Sequence, residues 1–122
     1  MANRILWVDD IRDPFKIMGF SPDECVWVTS FHEAVNMLSK RDDFTAIYLD
    51  NDLGEASEKE GGHVLNHIEE KLFFDQLEDL QDIYVHSDNA SAVRKMLSAK
   101  DVMEEKYGVT MGQLIIPRSA YQ

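Results

Sequence analysis

Asp9 and Asp10, Asp50 and Asp52, and His86, Ser87 and Asn89 form three polar clusters that together could do phosphate chemistry. Each cluster directly follows a short apolar run: Ile5-Leu6-Trp7-Val8, Ala46-Ile47-Tyr48-Leu49 and Ile83-Tyr84-Val85. These runs have the composition of strands. In an open parallel sheet, ligands sit beyond the carboxyl ends of the strands, so polar residues at three such ends converge on one site. The expected occupants are a divalent cation and a phosphate. Magnesium takes oxygen ligands in near-octahedral geometry and keeps several waters, which suits Asp9, Asp10, Asp50 and Asp52 around an open site; manganese favours the same donors. Such an ion neutralises charge developing on a phosphodiester and positions a water for in-line attack.

Asp50 and His86 are the candidate catalytic pair. An imidazole titrating near neutral pH can serve as acid or base toward a phosphate ester. Arg12 follows the first acidic pair and offers phosphate a bidentate contact. Ser87 and Asn89 offer hydroxyl, amide and backbone N–H groups, with the start of a helix behind them. Plainer roles compete with each of these. The acids can cap strand ends and turns, His86 can bond a backbone carbonyl, and Asn89 can simply cap a helix.

The elements that must position these residues alternate in type, as in a parallel sheet with helices on its faces. Strands are expected near Arg4–Val8, Cys25–Val28, Thr45–Leu49, Asp82–Val85 and Gln113–Ile116. Pro14 and Pro22 leave space for only one or two helical turns in the first crossover. Thr29 or Ser30 caps a helix over Phe31–Lys40, with Glu33 completing a capping box. The stretch Glu55–Glu60 reads as a solvated loop able to fold over a ligand, followed by a helix from about Gly62 to Phe73. Asn89 or Ser91 caps a helix running to about Tyr107, where Gly108 stops it. No covering helix is expected after the fifth strand, which leaves one flank of the sheet for a second subunit in a homodimer.

The 122 residues are expected to form one domain, 1–122. With 12 basic against 23 acidic residues and a net charge of −11, an extended nucleic-acid surface is not expected, whereas a small phosphorylated ligand or an RNA end is. No apolar run approaches a membrane span, so no membrane partner is expected and the setting is read as cytoplasmic. Cys25, the only cysteine, reads as a small buried apolar residue. His63 and His67 share a helix face but have no third ligand nearby, and Arg94 reads as a solvated helix residue. Trp7 and Trp27 are expected to pack rather than to stack bases.

Ile5-Leu6-Trp7-Val8-Asp9-Asp10 and Ala46-Ile47-Tyr48-Leu49-Asp50 resemble the first and third strands of a receiver domain. That resemblance implies a flavodoxin-type α/β sandwich with a parallel five-stranded sheet of order 2-1-3-4-5 and a cation held by Asp9, Asp10 and Asp50. A receiver has a lysine before a proline after its fifth strand, whereas Ile116 stands before Pro117 here. A closer resemblance, from Ile5 to about Ile116, is to the cyclic-phosphate processing receiver domains. It is carried by Val8-Asp9-Asp10-Ile11-Arg12-Asp13-Pro14, by Leu49-Asp50-Asn51-Asp52-Leu53-Gly54 with Gly61-Gly62, and by Val85-His86-Ser87-Asp88-Asn89. It implies action on cyclic or terminal phosphates of nucleotides or RNA, as a metal-dependent phosphoesterase. Asn51 stands where that group usually has histidine.

Three readings follow. The first is a magnesium-dependent phosphate-processing domain. The second is a stand-alone response-regulator receiver phosphorylated on Asp50. The third is a catalytically inactive pseudo-receiver that binds a protein partner.

Overall fold

The computed structural model describes residues 4–53, 61–87 and 89–116. In chain order the elements are β1 Ile5–Val8, α1 Pro14–Ile17, β2 Cys25–Val28, α2 Phe31–Lys40, β3 Ala46–Asp50, α3 Gly61–Phe73, β4 Asp82–His86, α4 Ala90–Leu97, α5 Lys100–Tyr107 and β5 Thr110–Gln113. All neighbouring strands pair in parallel, in the order β2-β1-β3-β4-β5. This is the flavodoxin-like sheet that the receiver resemblance implies.

Parallel register puts paired residues on the same face, and the two faces have different chemistry. Leu6, Val8, Ile47, Leu49, Ile83 and Val85 join Ala34 and Leu38 of α2, Val64 and Ile68 of α3, and Val93 and Met96 of α4 in one buried core. Each large aliphatic side chain so buried contributes roughly 1.5–3 kcal/mol, which is what fixes the helices on that face. The opposite face carries a row of rings: Trp27 pairs with Trp7, Trp7 with Tyr48, and Tyr48 with Tyr84. Tyr48 and Tyr84 stack at 4.9 Å between centroids. The short first crossover covers part of this face, with Phe15 edge-on to Trp27 and Phe20 edge-on to Trp7. Trp7 is fully buried and Trp27 half-buried, so both pack as expected. Cys25 is buried, and burial pushes its thiol up to about 12, so it acts as an apolar residue.

The helix starts follow local chemistry. Asp13 caps α1, accepting from the Phe15 and Lys16 N–H groups, and Pro14 takes the first helical position where no N–H is needed. Ser30 caps α2 by accepting from the Glu33 N–H. The Glu33 carboxylate accepts from the Thr29 N–H, one residue earlier than in the standard reciprocal box.

Two expectations are corrected. The helix expected from Asn89 to Tyr107 is two helices, broken at Ser98-Ala99. The Ser98 hydroxyl donates to the Lys95 carbonyl at 2.6 Å, giving the last turn of α4 a partner other than a continuing helix. Gly108, in the left-handed region at φ 68, ends α5 as expected. The fifth strand lies at Thr110–Gln113 rather than Gln113–Ile116. The chain turns straight from Gly108 into pairing with β4, and the apolar run that suggested a later strand carries the exposed Ile115 at its centre. The Glu55–Glu60 loop and the stretch expected to lack a final helix, residues 117–122, lie outside the described residues. No helix among the described residues is long and apolar enough to cross a membrane.

Candidate functional site

Register alone assembles the site. Asp50 and His86 are paired residues at the ends of β3 and β4, and Asp9 follows Val8, which pairs with Leu49. The three side chains therefore form one row on the ring-bearing face, just beyond the carboxyl edge of the sheet. His86 continues the stack of rings, lying on Trp7 at 5.0 Å between centroids and 29° between planes.

The loop after β1 is wound tightly around Asp9. One carboxylate oxygen, Oδ1, accepts from the Ile11 and Arg12 N–H groups at 3.0 Å each. The Trp27 indole donates to the Asp9 carbonyl at 2.7 Å and the Trp7 indole to the Arg12 carbonyl at 3.0 Å. Two ring N–H groups, one buried and one half-buried, thus find acceptors in the same loop and fix its path. The second carboxylate oxygen, Oδ2, lies 2.8 Å from His86 Nε2 and 3.3 Å from Arg12 Nη1. The same Arg12 nitrogen is 3.3 Å from Asp50 Oδ2. One guanidinium therefore bridges both carboxylates.

All four groups are shut away from solvent: Asp9, Asp50 and His86 are 2% exposed or less, and Arg12 is 6% exposed. Burial opposes the charge on Asp9, but hydrogen bonds from His86, Arg12 and Ile11 outweigh it and hold the carboxyl below its ordinary range. Asp50 goes the other way. Burial, and then the nearby charge of Asp9, push it up to about 8 despite Arg12. Two carboxylates side by side in a dry site do not both ionise easily. Asp10, half-buried, is also shifted upward, by burial first and then by Asp9 and Asp52.

The donor set suits a cation. Asp9, Asp50 and His86 each offer one ligand atom, and these atoms lie within 4.8 Å of one another. Asp50 Oδ1 and His86 Nδ1 are buried without a hydrogen-bond partner among the described residues, an arrangement that calls for an added ligand or ion. With the His86 ring bonded to Asp9 through Nε2, the carboxylate oxygens of Asp9 and Asp50 are the donors that suit magnesium or manganese.

The other expected residues lie at the rim. Asp52 is exposed, its carboxylate accepting from the Asn51 side-chain amide at 3.3 Å, and Asp10 stands outside the buried trio. Ser87 Oγ accepts from the Asn89 N–H, and Asn89 Oδ1 accepts from the Ser91 and Ala92 N–H groups. Asn89 is thus the cap of α4, and its amide NH₂ is the part left to face a phosphate. A pair of substitutions separates its two jobs. Asn89→Asp keeps the cap and is expected to leave the melting temperature within about 2 °C, whereas Asn89→Ala is expected to cost about 1 kcal/mol. Phosphate affinity that falls in Asn89→Asp as much as in Asn89→Ala would assign the amide to phosphate; loss in Asn89→Ala alone would leave it a cap.

His63 and His67 do not gather a metal-binding group among the described residues, and Arg94 is exposed on α4 with Nη2 on Ser91 Oγ. The sequence reading missed the Asp9–His86 pair, the bridging role of Arg12 and the burial of Asn51, which is 8% exposed. The signal for the Arg12 role was the Asp9-x-x-Arg12 spacing, which lets Asp9 accept from the Arg12 backbone; nothing marked Asn51.

The model of the cyclic-phosphate processing receiver domain family matches residues 4–101. Among solved structures, the chain is similar to the signal receiver domain of a protein described as a Luxo repressor from Vibrio parahaemolyticus, with a TM-score of 0.57 and 16% identity. That match covers 96% of this chain and 82% of the other and speaks to the fold. No curated protein matches the chain.

Proposed function

The chain belongs to the cyclic-phosphate processing receiver domain family, and from that premise we propose that it opens cyclic phosphates of nucleotides with the help of a divalent cation held at Asp9 and Asp50. The observation that carries this reading is the buried convergence of Asp9, Asp50 and His86, with an orphaned acceptor on Asp50 and an orphaned ring nitrogen on His86. When bound, a magnesium or manganese ion supplies charge neutralisation on the phosphoryl oxygens. Asp10 and Asp52, at the rim, would hold such an ion's waters.

His86 is oriented for proton transfer. Its Nε2–H donates to Asp9, as in the dyads where a carboxylate fixes the imidazole tautomer, so Nδ1 is the atom that exchanges a proton with the substrate. In the reaction, water adds to phosphorus as one ring P–O bond breaks; His86 Nδ1 gives its proton to the departing ribose oxygen and regains one from the added water, and the product is a phosphate monoester. Arg12 and the Asn89 amide hold the non-bridging oxygens.

A leaving-group comparison tests this role. His86→Ala is expected to lose roughly 10²–10³-fold in the rate on a nucleoside 2′,3′-cyclic phosphate, whose leaving oxygen needs the proton. On a p-nitrophenyl phosphodiester, whose leaving group does not need it, the loss should shrink to about tenfold or less. Equal loss on both substrates would remove the acid role from His86.

A further inference from the structure

We propose that the groove between α3 and α4 receives the nucleoside of the phosphorylated ligand, so that the site takes a single nucleotide rather than a nucleic-acid strand. This rests on the reading of the strand-end site given above. The groove has a volume of about 600 Å³, far more than a phosphate occupies and within the range of small-molecule sites.

One end of it lies beside the strand-end site. Asn51 and Asp52 line it immediately after Asp50 in the chain. Asn89, at the start of α4, lines the same end. A ligand with its phosphate at the strand ends therefore has the groove beside it.

The lining fits an uncharged ring bearing hydroxyls. The buried side chains of Leu65 and Met96 lie at its floor, an apolar seat for a planar base. Asn51 and Asn66 supply amides, which both donate and accept, for base edges or ribose hydroxyls. Lys95 lines the groove as a cation, but Asp52 and Glu69 line it too, so its charge does not favour a second or third phosphate. The chain as a whole, at −11, lacks the excess of positive charge that a strand would need to track its backbone.

Binding by the intact chain to three probes tests the inference, followed through backbone amide shifts with manganese replaced by magnesium. The probes are adenosine 2′,3′-cyclic phosphate, ethylene cyclic phosphate, which lacks the nucleoside, and a diadenosine dinucleotide ending in the cyclic phosphate. The wild type is expected to bind the adenosine probe at least tenfold tighter than the ethylene one, with shifts on α3 and α4, and the dinucleotide no tighter. Asn66→Trp fills the groove from an exposed helix position and should erase that tenfold preference while leaving ethylene cyclic phosphate unchanged. Lys95→Glu, also at an exposed position, is a second variant and should weaken the adenosine probe alone. Equal wild-type affinity for the adenosine and ethylene probes would overturn the groove while leaving the strand-end reading intact. A dinucleotide bound tenfold tighter would overturn the single-nucleotide assignment. Failure of all three to bind would overturn the strand-end reading and the groove with it.

Discussion

Replacing Arg12 with glutamine is expected to tighten manganese binding by about tenfold or more while weakening phosphate binding by a similar factor. Arg12 Nη1 lies 3.3 Å from an oxygen of both Asp9 and Asp50, so the guanidinium holds the two carboxylates that a divalent ion would share. An ion and Arg12 therefore compete, and removing the side-chain charge leaves two buried acids without their cation. Breaking a buried pair in this way costs about 3–5 kcal/mol in the metal-free chain, and any ion that enters recovers part of that cost. The phosphate loses a bidentate partner in the same variant, which gives the opposite sign. Arg12→Lys keeps the charge and should bind manganese like the wild type. Manganese titration followed by electron paramagnetic resonance reads the first effect, and phosphate titration in the same samples reads the second. Unchanged or weaker manganese binding in Arg12→Gln would show that the guanidinium and the ion do not share a seat.

Asp50→Asn is expected to abolish manganese binding, lowering affinity by about a hundredfold or more, and to reduce turnover by at least as much. The same substitution has a second, less obvious consequence for stability. Burial and the charge of Asp9 place the Asp50 carboxyl at about 8 in the folded chain, against an ordinary value of 3.8. Between those values the folded state carries a proton that the unfolded state has released. Its contribution is therefore complete below about pH 3.8 and is lost as the pH rises through about 8. The metal-free wild type should melt lower at pH 9 than at pH 6. Asp50→Asn, which carries no charge at either pH, should lack that dependence and melt higher than the wild type at pH 9 by about 4 °C or more. Thermal melts in chelator check it. A variant that melts below the wild type at pH 9 would mean that the Arg12 contact outweighs the burial of the charge.

The fold was legible because its signals are local and repeated. Four of the five strands end at, or one residue beyond, the point where an apolar run meets Asp9, Thr29, Asp50 and His86, and Ser30, Gly61-Gly62 and Asn89 announce the helices that follow. The fifth strand was misplaced because Leu114-Ile115-Ile116 looks more like a strand than Thr110-Met111-Gly112-Gln113, and pairing with β4 rather than composition decided the matter. The break at Ser98 has no glycine or proline to mark it.

The site divides in the same way. That Asp9, Asp50 and His86 meet follows from three strand ends and needs no coordinates. How they meet does not follow, because one carboxylate oxygen shared by His86 and Arg12 is a matter of tenths of an ångström and of side-chain direction. The acids Asp10 and Asp52 have the same composition signal as their buried neighbours and differ only in which way the backbone turns after the strand. The two tryptophans were legible as packing, but not as the donors that hold the Asp9–Arg12 loop.

The central claim is that these buried groups open a cyclic phosphate with a divalent ion. Phosphorus NMR of the purified protein with adenosine 2′,3′-cyclic phosphate, in manganese or magnesium and again in excess chelator, tests it most directly. The expected result is loss of the cyclic signal and growth of a single monoester signal with metal, none with chelator, and none in Asp50→Asn under either condition. A cyclic signal that persists unshifted with metal would contradict the claim and leave the family's fold serving as a phosphoacceptor or a protein-binding surface.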